Sequence, residues 1–310
     1  MAYKNYTLSD FANSFGCSEK DFSKSLKSFI AKHDFSYEII TGKNLNNLIL
    51  EILISIDNDR QLVGSESRRD VWEKGWEENL NLYVNNKFKD EDLIPKFIRN
   101  NKPIRLFKKL VQPNDTHFEL NYVRVYRRWF FENFFIDQNN IYEFGCGTGF
   151  NLLAASKLFP NTNLYGSDFT SSSVELVNQI AKIKNINLKG EVFDMINPNY
   201  KYKLKNNSGV FTFGALEQLA GEIDAMLEYL IFCKPKICIH TEPVIELYEK
   251  NNLVDYLAIK FQEKRGYTKG LLKKLHFLEK NNRIKILKIK RLYFGSLFME
   301  GYNLVIWRPV

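Results

Sequence analysis

Residues 141–149 read Ile-Tyr-Glu-Phe-Gly-Cys-Gly-Thr-Gly, and a lone acid, Asp168, follows nineteen residues after Gly149 at the end of Leu-Tyr-Gly-Ser-Asp. No other stretch limits the fold as tightly. An apolar strand enters a turn too tight for side chains, a helix starts there, and the next strand ends in a carboxylate. Glycines at Gly145, Gly147 and Gly149 let backbone approach a ligand closely. An acid at the tip of the second strand can accept hydrogen bonds from ribose hydroxyls. The pairing predicts a nucleoside crevice at the strand ends of a parallel sheet.

The spacing narrows the choice of nucleoside. A dinucleotide fingerprint needs G-x-G-x-x-G with the pyrophosphate on the helix N-terminus. Counting from Gly145, the third glycine position holds Phe150, and the glycines fall as G-x-G-x-G. Glu143, two residues before the first glycine, would repel a pyrophosphate and suits an ammonium or sulfonium. The chemistry points to a cationic adenosyl ligand. Glu143-Phe-Gly-Cys-Gly-Thr-Gly149 resembles motif I of the class I S-adenosylmethionine-dependent methyltransferases, and the resemblance covers residues 120–310. It implies S-adenosylmethionine as cofactor, S-adenosylhomocysteine as product, and a Rossmann-like α/β fold. That fold has a seven-stranded, mostly parallel sheet with an antiparallel C-terminal hairpin.

The order of elements agrees. Strands are predicted at 140–144, 163–167, 188–193, 208–213 and 235–240. Helices are predicted at 150–159, 171–184, 216–232 and 244–264. Alternation of this kind argues for a parallel sheet covered on both faces. Two last strands, 284–293 and 302–308, form the hairpin. Residues 116–310 are therefore expected to be the cofactor-binding domain. Residues 1–115 read mainly helical, as a cap over the active site or a region that pairs two copies in a homodimer. Within them, residues 7–30 have the look of two short helices separated at Gly16, with Ser18 as an N-cap and Asp21 three residues later. This faintly resembles a helix-turn-helix, but no basic recognition helix follows.

Charge and cysteine usage set outer bounds. The net charge is +8, and the segment from Lys260 to Arg291 alone carries twelve Lys or Arg against two acids, Glu263 and Glu279. Three readings compete: a solvated face, a funnel for an anionic substrate, or a nucleic-acid track. The longest apolar stretch, Leu48 to Ile56, is interrupted by Glu51 and is too short to span a bilayer. The chain opens on no apolar signal core. Four scattered cysteines form no metal spacing and fit a reducing, cytoplasmic setting.

Site residues are read from the strand tips, where open parallel sheets bind ligands. By the resemblance, Glu143 lies near the methionine amino group, with Gly145, Cys146, Gly147 and Gly149 against the cofactor. Asp168 is expected to take the ribose, Phe169 to stack on adenine, Asp194 to accept from its amine, and Met195 to pack on its face. Arg124 could clamp the cofactor carboxylate, while Arg127 and Arg128 are expected to be solvated. The fourth tip supplies Gly214, Glu217 and Gln218, and the resemblance puts that position between cofactor and acceptor. From the fifth, His240 and Glu242 would emerge together as general-base candidates beside Glu217. Trp72 and Trp76, one helical turn apart, could wall the acceptor pocket; His117 and Tyr122 could face it. No metal ligand set is evident.

The expected function is methyl transfer to an O or N of a polar, anionic small molecule such as a sugar, sugar nucleotide or phosphorylated metabolite. Alternatives are an RNA or protein methyltransferase and a cofactor-dependent regulator that binds DNA through residues 7–30. Neither an N-P-P-Y nor a D-P-P-Y signature is present at the fourth strand, which lowers base N-methylation.

Overall fold

A computed structural model describes residues 3–63 and 67–310, with the side chains of 67 and 68 outside the description. The N-terminal third runs β1 (Lys4–Asn5), α1 (Leu8–Phe15), α2 (Lys24–Lys32), β2 (Ser36–Ile39), α3 (Gly42–Asn58), α4 (Ser67–Asn85), β3 (Ile104–Leu106) and β4 (Lys109–Pro113). It continues with α5 (Phe118–Phe134), β5 (Asn140–Phe144), α6 (Phe150–Leu158), β6 (Asn163–Asp168), α7 (Ser171–Lys184), β7 (Leu188–Val192) and β8 (Ser208–Phe213). The last part holds α8 (Asp224–Cys233), β9 (Ile237–Glu242), α9 (Leu253–Arg265), α10 (Leu271–Lys280), β10 (Ile284–Lys290), β11 (Phe294–Gly295) and β12 (Asn303–Pro309).

Seven strands form one sheet in the order β10-β12-β9-β8-β5-β6-β7. Strands β5 to β9 are mutually parallel, and β12 runs antiparallel between β9 and β10. This is the expected Rossmann-like sheet with its antiparallel C-terminal pair. From β5 the chain builds outward through β6 and β7, then returns to place β8 on the other side of β5. The strand order therefore reverses between β5 and β8, the kind of place where open α/β sheets bind ligands.

Several local expectations give way. Residues 216–232 are not one helix: a 3-10 turn at Leu216–Leu219 ends at Ala220, whose φ of 51° precedes Gly221 at 93°, and α8 starts only at Asp224. Two left-handed residues in succession cannot continue a right-handed helix. The 244–264 segment likewise splits, with Asn252 capping α9 through its side chain to the Asp255 N–H. Helix α10 was not expected at all. The fifth strand ends at Glu242 instead of 240, which buries His240 and Glu242 inside the sheet.

The N-terminal third is not simply helical. It contains a five-stranded antiparallel sheet, β1-β2-β4-β3-β11, whose last member comes from the loop between β10 and β12. These strands are two to five residues long. Such lengths are too short to show a period of two. Helix α1 ends at Gly16 (φ 64°) as expected, but the capping box of Ser18 and Asp21 closes only a 3-10 turn at Glu19–Asp21, and the second helix, α2, starts at Lys24 with Ser23 as its cap. Phe11 and Phe15 of α1 and Phe22 from the segment before α2 share one core cluster with α5 and the sheet. Among the described residues, no helix is long and apolar enough to cross a membrane.

Candidate active site

The glycine turn is fastened to β6: the N–H groups of Gly145 and Cys146 both donate to the Ser167 carbonyl, at 2.7 and 3.0 Å. Gly145 sits at φ 74°, and a side chain there would collide with the Ala215 Cβ. The β5 and β8 tips therefore meet at backbone distance. Met195 also reaches Gly145, its Cε 3.5 Å from the position a Cβ would take. Cys146 is buried, 3.6 Å from Ser173 Oγ, with its thiol pushed well above the usual range by burial. It fills the turn and is no nucleophile.

Glu143 is 1% exposed. Its Oε1 accepts from Asn151 Nδ2 at 2.7 Å, while Oε2 has no hydrogen-bond partner. Burial pushes its carboxyl up to about 8, opposed by the Asn151 bond and the nearby Arg127 guanidinium. Arg127 is buried, contrary to expectation. It donates to the Phe150 carbonyl at 2.8 Å and lies over the Phe150 ring at 3.9 Å from its centroid. Neither Arg127 nor Asn151 was legible as a site residue, because neither belongs to the motif. Asp168 lies across the turn, Oδ2 accepting from the Gly147 N–H at 3.1 Å and Oδ1 from the Thr170 N–H and hydroxyl. Burial raises its pKa.

The other expected cofactor residues scatter. Phe169 is half-buried, with Arg69 over its ring. Asp194 accepts from Ile196 N–H and Asn197 Nδ2 and so closes its own turn. Arg124 donates to Asn121 and borders a cavity of about 140 Å³ between α5, α6 and residues 90–94. Trp72 and Trp76 stack at 5.2 Å, but Trp76 lies against Gly147, beside the glycine turn. Tyr122 does not face a pocket: it is fully buried, stacked on Phe294 at 3.5 Å within the aromatic core. His117 is an exposed N-cap position beside Asp115.

The acceptor-side candidates separate sharply. His240 is 0% exposed, with Nδ1 3.0 Å from Thr212 Oγ1 and Nε2 accepting from Trp307 Nε1 at 2.9 Å. Thr212 Oγ1 donates to Glu242 Oε1 at 2.6 Å. The chain Trp307–His240–Thr212–Glu242 leaves neither ring nitrogen for a substrate, and burial lowers the His240 pKa to about 3. Glu242 also accepts from the N–H groups of Ala215, Leu216 and Glu217. It anchors the loop after β8 in place of presenting itself to a ligand.

Glu217 differs. Its Oε1 accepts from Gln218 Nε2 at 3.3 Å, no N–H or hydroxyl meets its buried Oε2, and the carboxyl lies within hydrogen-bond reach of the Glu242 carboxyl. Burial and the adjacent Glu242 hold its carboxyl well above the usual range. It borders Gly214, whose missing Cβ would stand 3.6 Å from Oε1. A further carboxyl was missed: Glu119, in the first turn of α5, accepts from Tyr302 Oη and the Arg99 N–H, both at 3.3 Å. Burial pushes it up to about 7, and Tyr302 packs on Phe213 at the β8 tip.

No family model matches this sequence, and no curated protein matches it. Solved structures do. The crystal structure of the [4+2]-cyclase SpnF aligns with a TM-score of 0.52 at 13% identity, over 81% of this chain and 99% of that one. The 16S rRNA methylase ArmA gives 0.46 at 16% identity, over 76% and 98%. Magnesium protoporphyrin IX methyltransferase from Synechocystis PCC 6803, with bound SAH, gives 0.43 at 14%, over 61% and 81%. At such identities the likeness is one of fold.

Proposed function

We propose that the chain binds S-adenosylmethionine in the crevice between the β5 and β8 tips and transfers its methyl group to a small molecule. One observation carries this reading: a buried glutamate oxygen, Glu143 Oε2, lacks a partner beside a glycine turn with Asp168 opposite. A ligand with a cationic end supplies what Glu143 Oε2 lacks, and its ribose would lie against Asp168, whereas a dinucleotide would bring phosphates to an acidic floor. Because the fold itself hosts more than one chemistry, the function rests on these residues.

Bound, the cofactor would supply an electrophilic methyl group on a sulfonium. The protein's part is to orient the acceptor, exclude water and receive a proton. Glu143 would hold the amino group, Asp168 the ribose, and Glu217 Oε2 the proton of the acceptor's hydroxyl or amine. Positive charge in the crevice favours ionisation of Glu217 and readies it as a base. The basic run does not favour an anionic acceptor. Six of its twelve cations pair with carboxylates: Lys260, Arg265, Lys269, Lys274, Arg283 and Arg291. With Glu119 and Glu217 beside the β8 tip, the reading is a polar acceptor carrying a hydroxyl or amine.

Asp168→Ala is expected to weaken S-adenosylhomocysteine binding roughly 10- to 100-fold, the scale of hydrogen bonds to a charged group. Unchanged affinity by calorimetry would remove Asp168 from the ribose site. Glu143 gives a second test. Around it lie Arg127 from α5, Asn151 from α6 and Asp168 from β6. Its pKa of about 8 means that below pH 8 the carboxyl is protonated and neutral, and binding an ammonium must expel that proton. Affinity should therefore fall as pH drops below 8, by at most about tenfold per unit for one proton. Glu143→Gln should flatten that slope; an equally steep slope in the variant would assign the proton elsewhere.

A further inference from the structure

The crevice is roofed by its own chain. Glu143, Gly147, Asp168, Met195 and Ala215 are all buried. The roof is α4. A Cβ placed on Gly147 would come within 2.9 Å of Trp76 Cζ2, so the indole lies where a missing side chain would permit a ligand.

The first half of α4 is held lightly. From Val71 to Glu78 no residue is fully buried; anchoring begins at Asn79 and Tyr83. Gly75, with nothing near its absent Cβ, weakens the turn beside Trp76. Besides the Trp72–Trp76 stack, polar bonds fasten this half to the start of α7. The Glu73 carboxylate accepts from the N–H groups of Ser171 and Ser172, at 2.9 and 2.7 Å, and so caps the N-terminus of α7. Its carbonyl accepts from Ser172 Oγ, and Arg69 donates to the Phe169 carbonyl. These bonds fall on the residues that directly follow Asp168. A helix half with no fully buried residue, held by a few exposed and part-buried hydrogen bonds, is the kind of segment that opens before the rest of a fold.

We infer that the first half of α4 is a gate latched by Glu73, and that an adenosyl ligand enters only when Trp76 lifts off Gly147. The inference rests on the adenosyl reading of the crevice. When only the open form binds, apparent affinity is the intrinsic affinity scaled by the open fraction. Loosening the latch therefore tightens binding, the opposite of losing a contact.

The test is S-adenosylhomocysteine binding to the full chain, by calorimetry and by stopped-flow tryptophan fluorescence. Glu73→Gln keeps the side chain's volume and removes the charge that caps α7. It is expected to bind about threefold to tenfold more tightly, with faster association, the scale of one weakened hydrogen bond. Amide exchange across residues 69–78 should be faster in ligand-free Glu73→Gln than in the wild type. Affinity that is unchanged or weaker in Glu73→Gln, whatever Trp76→Ala does, overturns the gate and makes α4 a fixed wall. If neither wild type nor variant binds, the adenosyl reading itself falls, and the gate with it.

Discussion

Glu217→Gln is expected to cut turnover about 10²- to 10⁴-fold, the usual contribution of a positioned proton acceptor. S-adenosylhomocysteine affinity should stay within a few fold. The substitution keeps shape and hydrogen-bonding capacity and removes only the ability to take a proton. Glu217 is the acceptor-side candidate with a buried oxygen that no N–H or hydroxyl meets, its neighbour being the Glu242 carboxyl. His240 and Glu242 have their polar atoms committed to Trp307, Thr212 and the loop after β8. A rate split between turnover and binding identifies the role, since a merely structural glutamine defect would damage both. The pH profile adds a sign. The raised pKa means that the reactive, ionised form is lost as pH falls, from a midpoint above the ordinary glutamate value. Full turnover in Glu217→Gln would move the chemistry to another group, with Glu119 the next to replace.

Arg291→Met should destabilise the fold by about 3–5 kcal/mol, the cost of leaving buried carboxylates without their cation. Its guanidinium bonds Asp255 at 2.5 and 2.8 Å and Glu300 at 2.7 and 2.8 Å, with side-chain exposures of 6%, 0% and 2%. It also stacks near the Tyr248 and Tyr293 rings. Removing it strands two acids in a region where Arg105, itself buried, bonds only the Leu297 and Val254 carbonyls. Urea unfolding gives the measurement. Neutralising the acids as well, in Arg291→Met with Asp255→Asn and Glu300→Gln, should recover part of the loss. An unchanged urea midpoint in the single variant would show that water or rearrangement satisfies the two carboxylates.

What could be read from the chain depends on whether the signal is local. Helix 171–184 is found to the residue; in the structure Thr170 precedes it in extended backbone and Asn185, at φ 49°, ends it. The glycine turn and Asp168 are local too. The failures share a different cause. Strand β9 slides two residues past its expected end, and that slide turns His240 and Glu242 from emerging groups into buried ones. Nothing nearby announces it: the extension is imposed by β12, which pairs Asn303 with Glu242 and Val305 with His240. Arg127 looks like a surface cation in sequence and is buried because Phe150, from the next helix, gives its planar group a face to lie on. In the N-terminal sheet β2 pairs with β4 and β3 with β11, strands more than sixty residues apart, and no short window of sequence contains both partners of either pair.

Strand β11 ties synthesis to assembly. The sheet that begins with Lys4 receives its fifth member, Phe294–Gly295, from near the other end of the chain. A ribosome making this protein exposes β1 to β4 well before β11, and the free edge of β3 waits until Phe294 and Gly295 have been made before it is covered. That long wait, with a pairing-competent edge open to other molecules, is the interval in which this protein would most depend on a chaperone.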